Sequence, residues 1–319
     1  METGSVQVVF GAGQIGPLLA KRLVSLGRQV RVIRKSSGPV PVDGVEVVRG
    51  DAMDPAFCVE ATRGAAAVYH CMNAAYSTRI WRETLPRLQA NLLAAAARAG
   101  ARLVVLDNVY ALGKTGGKPM TEDTVSAPCS AKGEVRARLH DDLEAVARRG
   151  DVRVAVGRAS DFYGPGAGQS HLGERPLRQL LAGKAAQVVV NPDTPHTYHF
   201  TRDVAAGLAV LGLDVQSEGT WMLPCAPALT TREMIEGLAS KLGRPAKIQR
   251  IPPLLISMLA LAIPMMRELK EMAYQWEEPF VVDDRRFRSR FGVEATPLEV
   301  GILETADWAR RTFGSASAT

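Results

Sequence analysis

Cysteine is scarce in this chain and scattered along it. Cys58, Cys71, Cys129 and Cys225 form no C-x-x-C pair, which excludes a thiolate metal cluster and a disulfide-stapled scaffold. The five histidines form no H-E-x-x-H or comparable group, so no metal is expected. There is no polybasic block and no basic patch interleaved with aromatics. The formal charge of +6 is spread over 319 residues, and nucleic acid is not an expected partner. Internal repeats are absent, and the short Ser/Ala tail after Gly314 is expected to fray. No secretory signal is read at the N-terminus, so the thiols are expected reduced, in a cytoplasm.

A membrane span is also missing. Ile251 to Met266 carries no charge, but it falls short of the ~20 residues a span needs. Pro252, Pro253 and Pro264 interrupt it. A buried or interfacial helix in a second lobe is the expectation, with Met258, Met265 and Met266 as adaptable packing groups. Such a helix could line an apolar substrate pocket. Ordinary core and a homodimer contact are equally open readings.

What the chain does have is a glycine motif in the right setting. Val6-Gln7-Val8-Val9-Phe10 reads as a buried strand running into Gly11-Ala12-Gly13-Gln14-Ile15-Gly16, and Leu18 to Leu26 reads as a helix. Gly11 makes the tight turn, Gly13 admits a pyrophosphate to the backbone, and Gly16 allows close helix packing. Gln14 and Ile15 complete the loop, whose phosphates would sit on the helix N-terminus. Pro17 is compatible with a first helical turn. A glycine-rich turn without a ligand is the competing reading.

Alternation continues beyond that loop. Gln29 to Ile33, Val45 to Val48, Ala66 to His70 and Arg102 to Leu106 read as strands, with Trp81 to Ala99 as a long helix. This pattern predicts an α/β, doubly wound parallel sheet with a smaller C-terminal substrate lobe. Residues 1–165 are expected to form the dinucleotide-binding unit. Residues 166–319 are expected to be mostly the substrate lobe, with some elements returning to the sheet.

The second strand ends in Arg34-Lys35-Ser36. An acidic residue there, about 20 residues past the glycines, would bind the ribose hydroxyls of NAD. Two cations favour the 2′-phosphate instead, so NADP(H) is expected over NAD(H). A merely solvated basic strand end is the alternative.

Taken together, these residues resemble the short-chain dehydrogenase/reductases of the NAD(P)-dependent epimerase/dehydratase type, in an extended or atypical form. The resemblance rests on the glycine motif, on Gly50-Asp51, and on Val68-Tyr69-His70-Cys71 with Ala74-Ala75. It extends to Arg158-Ala159-Ser160-Asp161-Phe162-Tyr163-Gly164-Pro165-Gly166 and His199-Phe200-Thr201-Arg202-Asp203-Val204-Ala205. It implies that Asp51 holds the adenine, although a helix cap would also explain an aspartate there. Residues 71 to 75, including Cys71 and Asn73, would border the ribose and nicotinamide. Ser160 to Phe162 would close over the nicotinamide. One departure is Phe10, which stands where extended members carry their first glycine.

The larger departure concerns the proton. The family's usual chemistry uses a serine or threonine after the fifth strand and a Y-x-x-x-K pair on the next helix. Here Asn108 stands at the serine position, Lys132 at the tyrosine and Arg136 at the lysine. Positions 132 and 136 share a helix face. Arg136 could bind ribose or phosphate and, as a neighbouring charge, would lower the pKa of Lys132. Lys132 could then donate a proton or stabilise an oxyanion, with Tyr110 as the other acid. Simple cofactor binding or packing by these residues is the competing reading. The first functional expectation is an NADP(H)-dependent reductase of a small carbonyl or conjugated carbonyl. Sugar-nucleotide epimerase or dehydratase, and non-catalytic redox sensor, are the alternatives.

Overall fold

The computed structural model describes residues 5–314. Its first half alternates strand and helix: β1 (Val6–Phe10), α1 (Gly16–Ser25), β2 (Gln29–Arg34), β3 (Val45–Arg49), α2 (Pro55–Ala61) and β4 (Ala65–His70). Then come α3 (Thr78–Ala99), β5 (Arg102–Asn108), α4 (Ala131–Arg149) and β6 (Val154–Ala159). The second half opens with β7 (Asp161–Tyr163), α5 (Glu174–Leu181), β8 (Ala186–Val188), β9 (Pro195–His196) and β10 (Tyr198–Phe200). It continues through α6 (Thr201–Leu213), β11 (Gly219–Met222), β12 (Leu229–Thr230), α7 (Thr231–Leu242) and β13 (Ile248–Arg250). Four helices close it: α8 (Pro253–Ala262), α9 (Pro264–Glu271), α10 (Arg285–Phe291) and α11 (Leu298–Phe313).

Seven parallel strands form the main sheet in the order β11-β6-β5-β4-β1-β2-β3. Inner strands of such a sheet are covered on both faces, which explains the near-continuous apolar β1, β4 and β6. β3 closes one edge, and its Glu46 and Arg49 are exposed there. Helices α2, α3 and α4 cover one face through Cys58, Trp81, Leu85, Leu92 and Leu139. On the other face, α1 and α6 pack through Leu19, Leu23, Val204 and Leu208. Thus α6 and β11, from the second half, belong to the sheet unit. The five strands read from sequence lie within a sheet of seven; the two added are β6 and β11.

A second core unites α5, α7 and α11 through Leu177, Leu180, Ile235, Leu238, Ile302 and Ala306. The sheet's connections reverse between β1 and β4, so a crevice opens at the carboxyl ends of these strands. Of the two readings of 251–266, the buried one does not hold for α8: of its residues only Ile256 and Ala260 are buried. Among the described residues no helix is long and apolar enough to cross a membrane. The Ser/Ala tail lies outside the described residues.

Candidate active site at the switch point

The glycine loop fills the gap between β1 and α1. Gly11 has φ +111°, and a Cβ there would lie 2.9 Å from the Cys71 carbonyl oxygen. At Gly16 a Cβ would lie 1.8 Å from the Gly11 carbonyl oxygen. Gly16 therefore lets the helix start fold back on the loop itself, a closer approach than the strand packing expected of it. Around Gly13 nothing lies within 4 Å of a Cβ. Two glycines are required by protein contacts and the middle one faces open space, which fits a pyrophosphate passing over Gly13. No side chain caps α1, so its first N–H groups have no side-chain acceptor. Ile15 turns into the core, which restricts it to backbone contact, while Gln14 is half-buried.

At the end of β2 both expected phosphate ligands have partners within the protein. The Arg34 guanidinium donates to the Gly38 carbonyl, to the Pro39 carbonyl at 2.6 Å and to Ser36 Oγ at 2.7 Å. Its buried Nε has no partner. Lys35 Nζ pairs with Asp51 Oδ2 at 2.7 Å and, through that hydrogen bond, holds the Asp51 carboxyl below its ordinary range. Asp51 is not a helix cap. It accepts from Met53 N at 3.0 Å within a turn, and Asp54 caps α2 by accepting from Ala56 N at 2.9 Å.

Beyond the crevice, the catalytic-helix positions are buried. Ser130 caps α4 by accepting from Gly133 N at 3.0 Å, which sets Lys132 and Arg136 one turn apart on a buried face. Arg136 donates to Asn73 Oδ1 at 3.0 Å and Asp107 Oδ1 at 3.3 Å, and lies 4.7 Å over the Trp81 ring. Lys132 is fully buried. Its Nζ bonds Glu268, lies 3.2 Å from both Glu271 Oε2 and Thr78 Oγ1, and sits 4.7 Å over the Tyr76 ring. Two carboxylates from α9 thus face the Lys132 ammonium. Burial opposes ionisation of Glu268, but hydrogen bonds from Lys132 and Thr78 outweigh it and hold its carboxyl below the usual range. In this arrangement Lys132 is an internal counter-ion to Glu268 and Glu271.

Asn108 also serves the fold, accepting from Tyr110 N at 3.0 Å where β5 ends. Tyr110 stacks on Trp81, with ring centroids 6.3 Å apart and planes 11° from parallel. Burial, then the charge of Asp161, push its phenol well above the ordinary range. Of the nicotinamide-side residues, Cys71 donates its N–H to the Phe10 carbonyl at 2.9 Å, and burial pushes its thiol up to about 12. Ser160 turns inward: its hydroxyl bonds the Thr197 carbonyl and its N–H donates to His199 Nδ1 at 3.1 Å. Ser160 is thus engaged within the fold, while Phe162 is half-buried and packs on the core of the α1 and α6 face.

Several site residues were missed from sequence. Asp161 accepts from His196 at 2.9 Å, and His196 stacks on Trp276 with centroids 4.6 Å apart. Burial opposes the Asp161 charge, but His196 and then His171 keep its carboxyl below the ordinary range. His171, 5.1 Å from Trp276, is held near pKa 4 by burial. Gln275 Oε1, His171 Nε2 and Arg136 Nε are buried here without partners. Asp161 stands within the Arg158–Gly166 stretch already singled out, and Glu268 and Glu271 share a helix face by their i, i+3 spacing. Tyr76 and Thr78 carried no such signal. Among the described residues no cluster could hold a metal.

A doubly wound sheet with this loop at its switch point defines a Rossmann-type dinucleotide-binding protein. A family model described as the NAD dependent epimerase/dehydratase family matches residues 7–219, and the chain belongs to that family. No curated protein matches. Among solved structures, UDP-glucose 4-epimerase of Thermus thermophilus in complex with NAD is 20% identical. It has a TM-score of 0.77, covering 96% of this chain and 99% of that one. The dTDP-glucose 4,6-dehydratase of Streptomyces venezuelae, with NAD bound, is 19% identical, with a TM-score of 0.78 and coverage of 97% and 98%. UDP-N-acetylglucosamine 4-epimerase of Bacillus cereus is 14% identical, with a TM-score of 0.77 and coverage of 96% of each chain. These likenesses establish a shared fold along nearly the whole chain, second lobe included.

Proposed function

We propose that this chain is an NAD(P)-dependent enzyme acting at a hydroxyl- or keto-bearing carbon of a polar, polyhydroxylated substrate of the sugar-nucleotide class. One observation carries this reading over the expected apolar carbonyl compound. The apolar stretch 251–266 is mostly exposed; what the second lobe sends to the site is Glu268, Glu271, Gln275 and His171, the last two with unsatisfied polar atoms. Unpaired buried donors and acceptors discriminate strongly for a ligand that can complete them.

The Gly11–Gly16 loop would hold the pyrophosphate. Arg34, Lys35, Ser36 and Asp51 would meet the adenosine end, and Cys71, Asn73, Arg136 and Phe162 the nicotinamide side. A bound nicotinamide dinucleotide supplies hydride transfer at the substrate carbon. Tyr110 keeps its proton because burial and Asp161 disfavour the phenolate, which suits it to donate to a substrate oxygen. Lys132 holds Glu268 and Glu271, and through them α9, against the site. The same raised phenol favours the second reading, reduction of a carbonyl, because a tyrosine that stays protonated is not available as the base that alcohol oxidation needs.

The test is a panel of UDP- and dTDP-hexoses beside simple ketones and enones, each with NAD(H) and NADP(H). Products are followed by chromatography and nicotinamide absorbance. A nucleotide sugar is expected to turn over, and Tyr110→Phe to reduce turnover about 10²–10⁴-fold with dinucleotide affinity kept. Turnover confined to simple carbonyls would replace this reading by the second, and binding of no nucleotide sugar would end it.

A further inference from the structure

We propose that α8 docks this protein onto the surface of an anionic lipid bilayer. Leu254 is 74% exposed, Met258 61%, Leu261 83% and Met265 47%. The i, i+4, i+7 spacing of Leu254, Met258 and Leu261 lines them up as one outward stripe of α8, with Leu255 and Leu259 beside it, and Met265 lies just past the break, in α9. A contiguous apolar patch left to water marks an interaction surface, unlike singly scattered apolar residues. Among the described residues nothing covers it. Pro253 starts α8 and Pro264 begins the next helix, so the element is too short to span and suited to lie in the plane of an interface.

Charge selects the occupant. Arg244, Lys247 and Arg250 precede the stripe, and Arg267 and Lys270 follow it; all five are exposed and in no ion pair among the described residues. The acids that could neutralise them, Glu268 and Glu271, turn inward to Lys132. Asp193 lies within electrostatic reach of Arg250 but is paired to Arg232 at 2.6 Å. An apolar centre with cations at both ends complements acyl chains flanked by anionic headgroups. A second copy fits poorly. A twofold contact sets the patch against itself, and in either helix orientation cationic ends would meet cationic ends.

The test is co-sedimentation of the full chain with vesicles of phosphatidylcholine alone, or with about one-quarter phosphatidylserine. Binding to the anionic vesicles is expected to be about tenfold or more tighter, and to weaken with salt. Leu254→Glu with Leu261→Glu is expected to lower binding about tenfold or more without moving the thermal midpoint, since both side chains are outside the core. Lys247→Glu with Arg250→Glu tests the charge separately, with the apolar stripe intact, and is expected to lower anionic-vesicle binding likewise. Failure to sediment with either vesicle, or undiminished binding by the Leu254/Leu261 variant, overturns the proposal. So does a dimer by light scattering that the same variant dissolves while wild type ignores vesicles; a second copy is then the occupant.

Discussion

Lys132 of α4 and Glu268 of α9 form an ion pair that joins the nucleotide-binding half to the second lobe inside the candidate site. Glu268 also accepts from Thr78 N at 3.1 Å, so the same carboxylate caps the start of α3. A single contact thus ties α3, α4 and α9 together at the place where the family's tyrosine would meet substrate. The lysine at position 132 is neutralised by carboxylates of the second lobe.

Removing the ammonium should therefore harm folding first. Lys132→Met leaves two half-buried carboxylates without their counter-ion and is expected to lower stability by up to about 3 kcal/mol, read by urea denaturation. Adding Glu268→Gln and Glu271→Gln should restore part of that loss, because uncompensated charge is its main cause. A Lys132→Met protein as stable as wild type, yet without turnover, would instead make Lys132 the proton donor.

Acid stability follows from three buried histidines. Burial holds His70, His171 and His199 near pKa 4, against an ordinary 6.5. Between those values the unfolded chain binds protons that the folded chain refuses, so unfolding becomes easier as pH falls. The sign is fixed: their contribution is complete above 6.5 and is lost on the way to pH 4. Each histidine contributes a slope of about 1.4 kcal/mol per pH unit within that window. Urea midpoints should be level from about pH 7 to 8 and fall steeply below about 6. A flat profile down to about pH 4.5 would show that these imidazoles are not refused their protons.

The parts of this molecule that were legible in sequence are those governed by local periodicity and backbone geometry. β1, the glycine loop and β4 follow from apolar runs and glycine chemistry, and need no distant partner. The fates of Lys132 and Asn108 depend on distant residues and on a local backbone contact respectively. Nothing near position 132 announces that a helix more than a hundred residues on will supply two carboxylates. Likewise the uncharged stretch 251–266 carries the composition of core, and only the packing of its neighbours decides that α8 faces outward. Arg34 shows the same limit at short range: its fork was read as free, whereas the Ser36–Pro39 loop folds onto it.

Gly13 separates the ligand's demands from those of the fold. Its neighbourhood is open and its backbone is not in the left-handed region, so Gly13→Val should fold with an unchanged thermal midpoint. It should nonetheless weaken dinucleotide binding about a hundredfold or more in a fluorescence titration, because the side chain would occupy the pyrophosphate's path. Gly16→Val is the contrast, since it collides with the Gly11 carbonyl and should disturb the fold itself. Normal dinucleotide affinity in folded Gly13→Val would reduce the loop to a turn.

Cofactor preference rests on the cations at the end of β2. NADP(H) is expected to bind more tightly than NAD(H) by about tenfold, with the 2′-phosphate drawing Lys35 from Asp51 beside the Arg34 guanidinium. That exchange is feasible because the Lys35–Asp51 pair is largely solvent-exposed, and such pairs contribute little stability. Arg34→Asp should reverse the preference by removing a positive charge and adding a carboxylate suited to ribose hydroxyls. Titrating both dinucleotides into both proteins decides the matter. A wild type that prefers NAD(H), or a variant whose preference is unmoved, would mean that Arg34 serves only to hold the loop that follows β2.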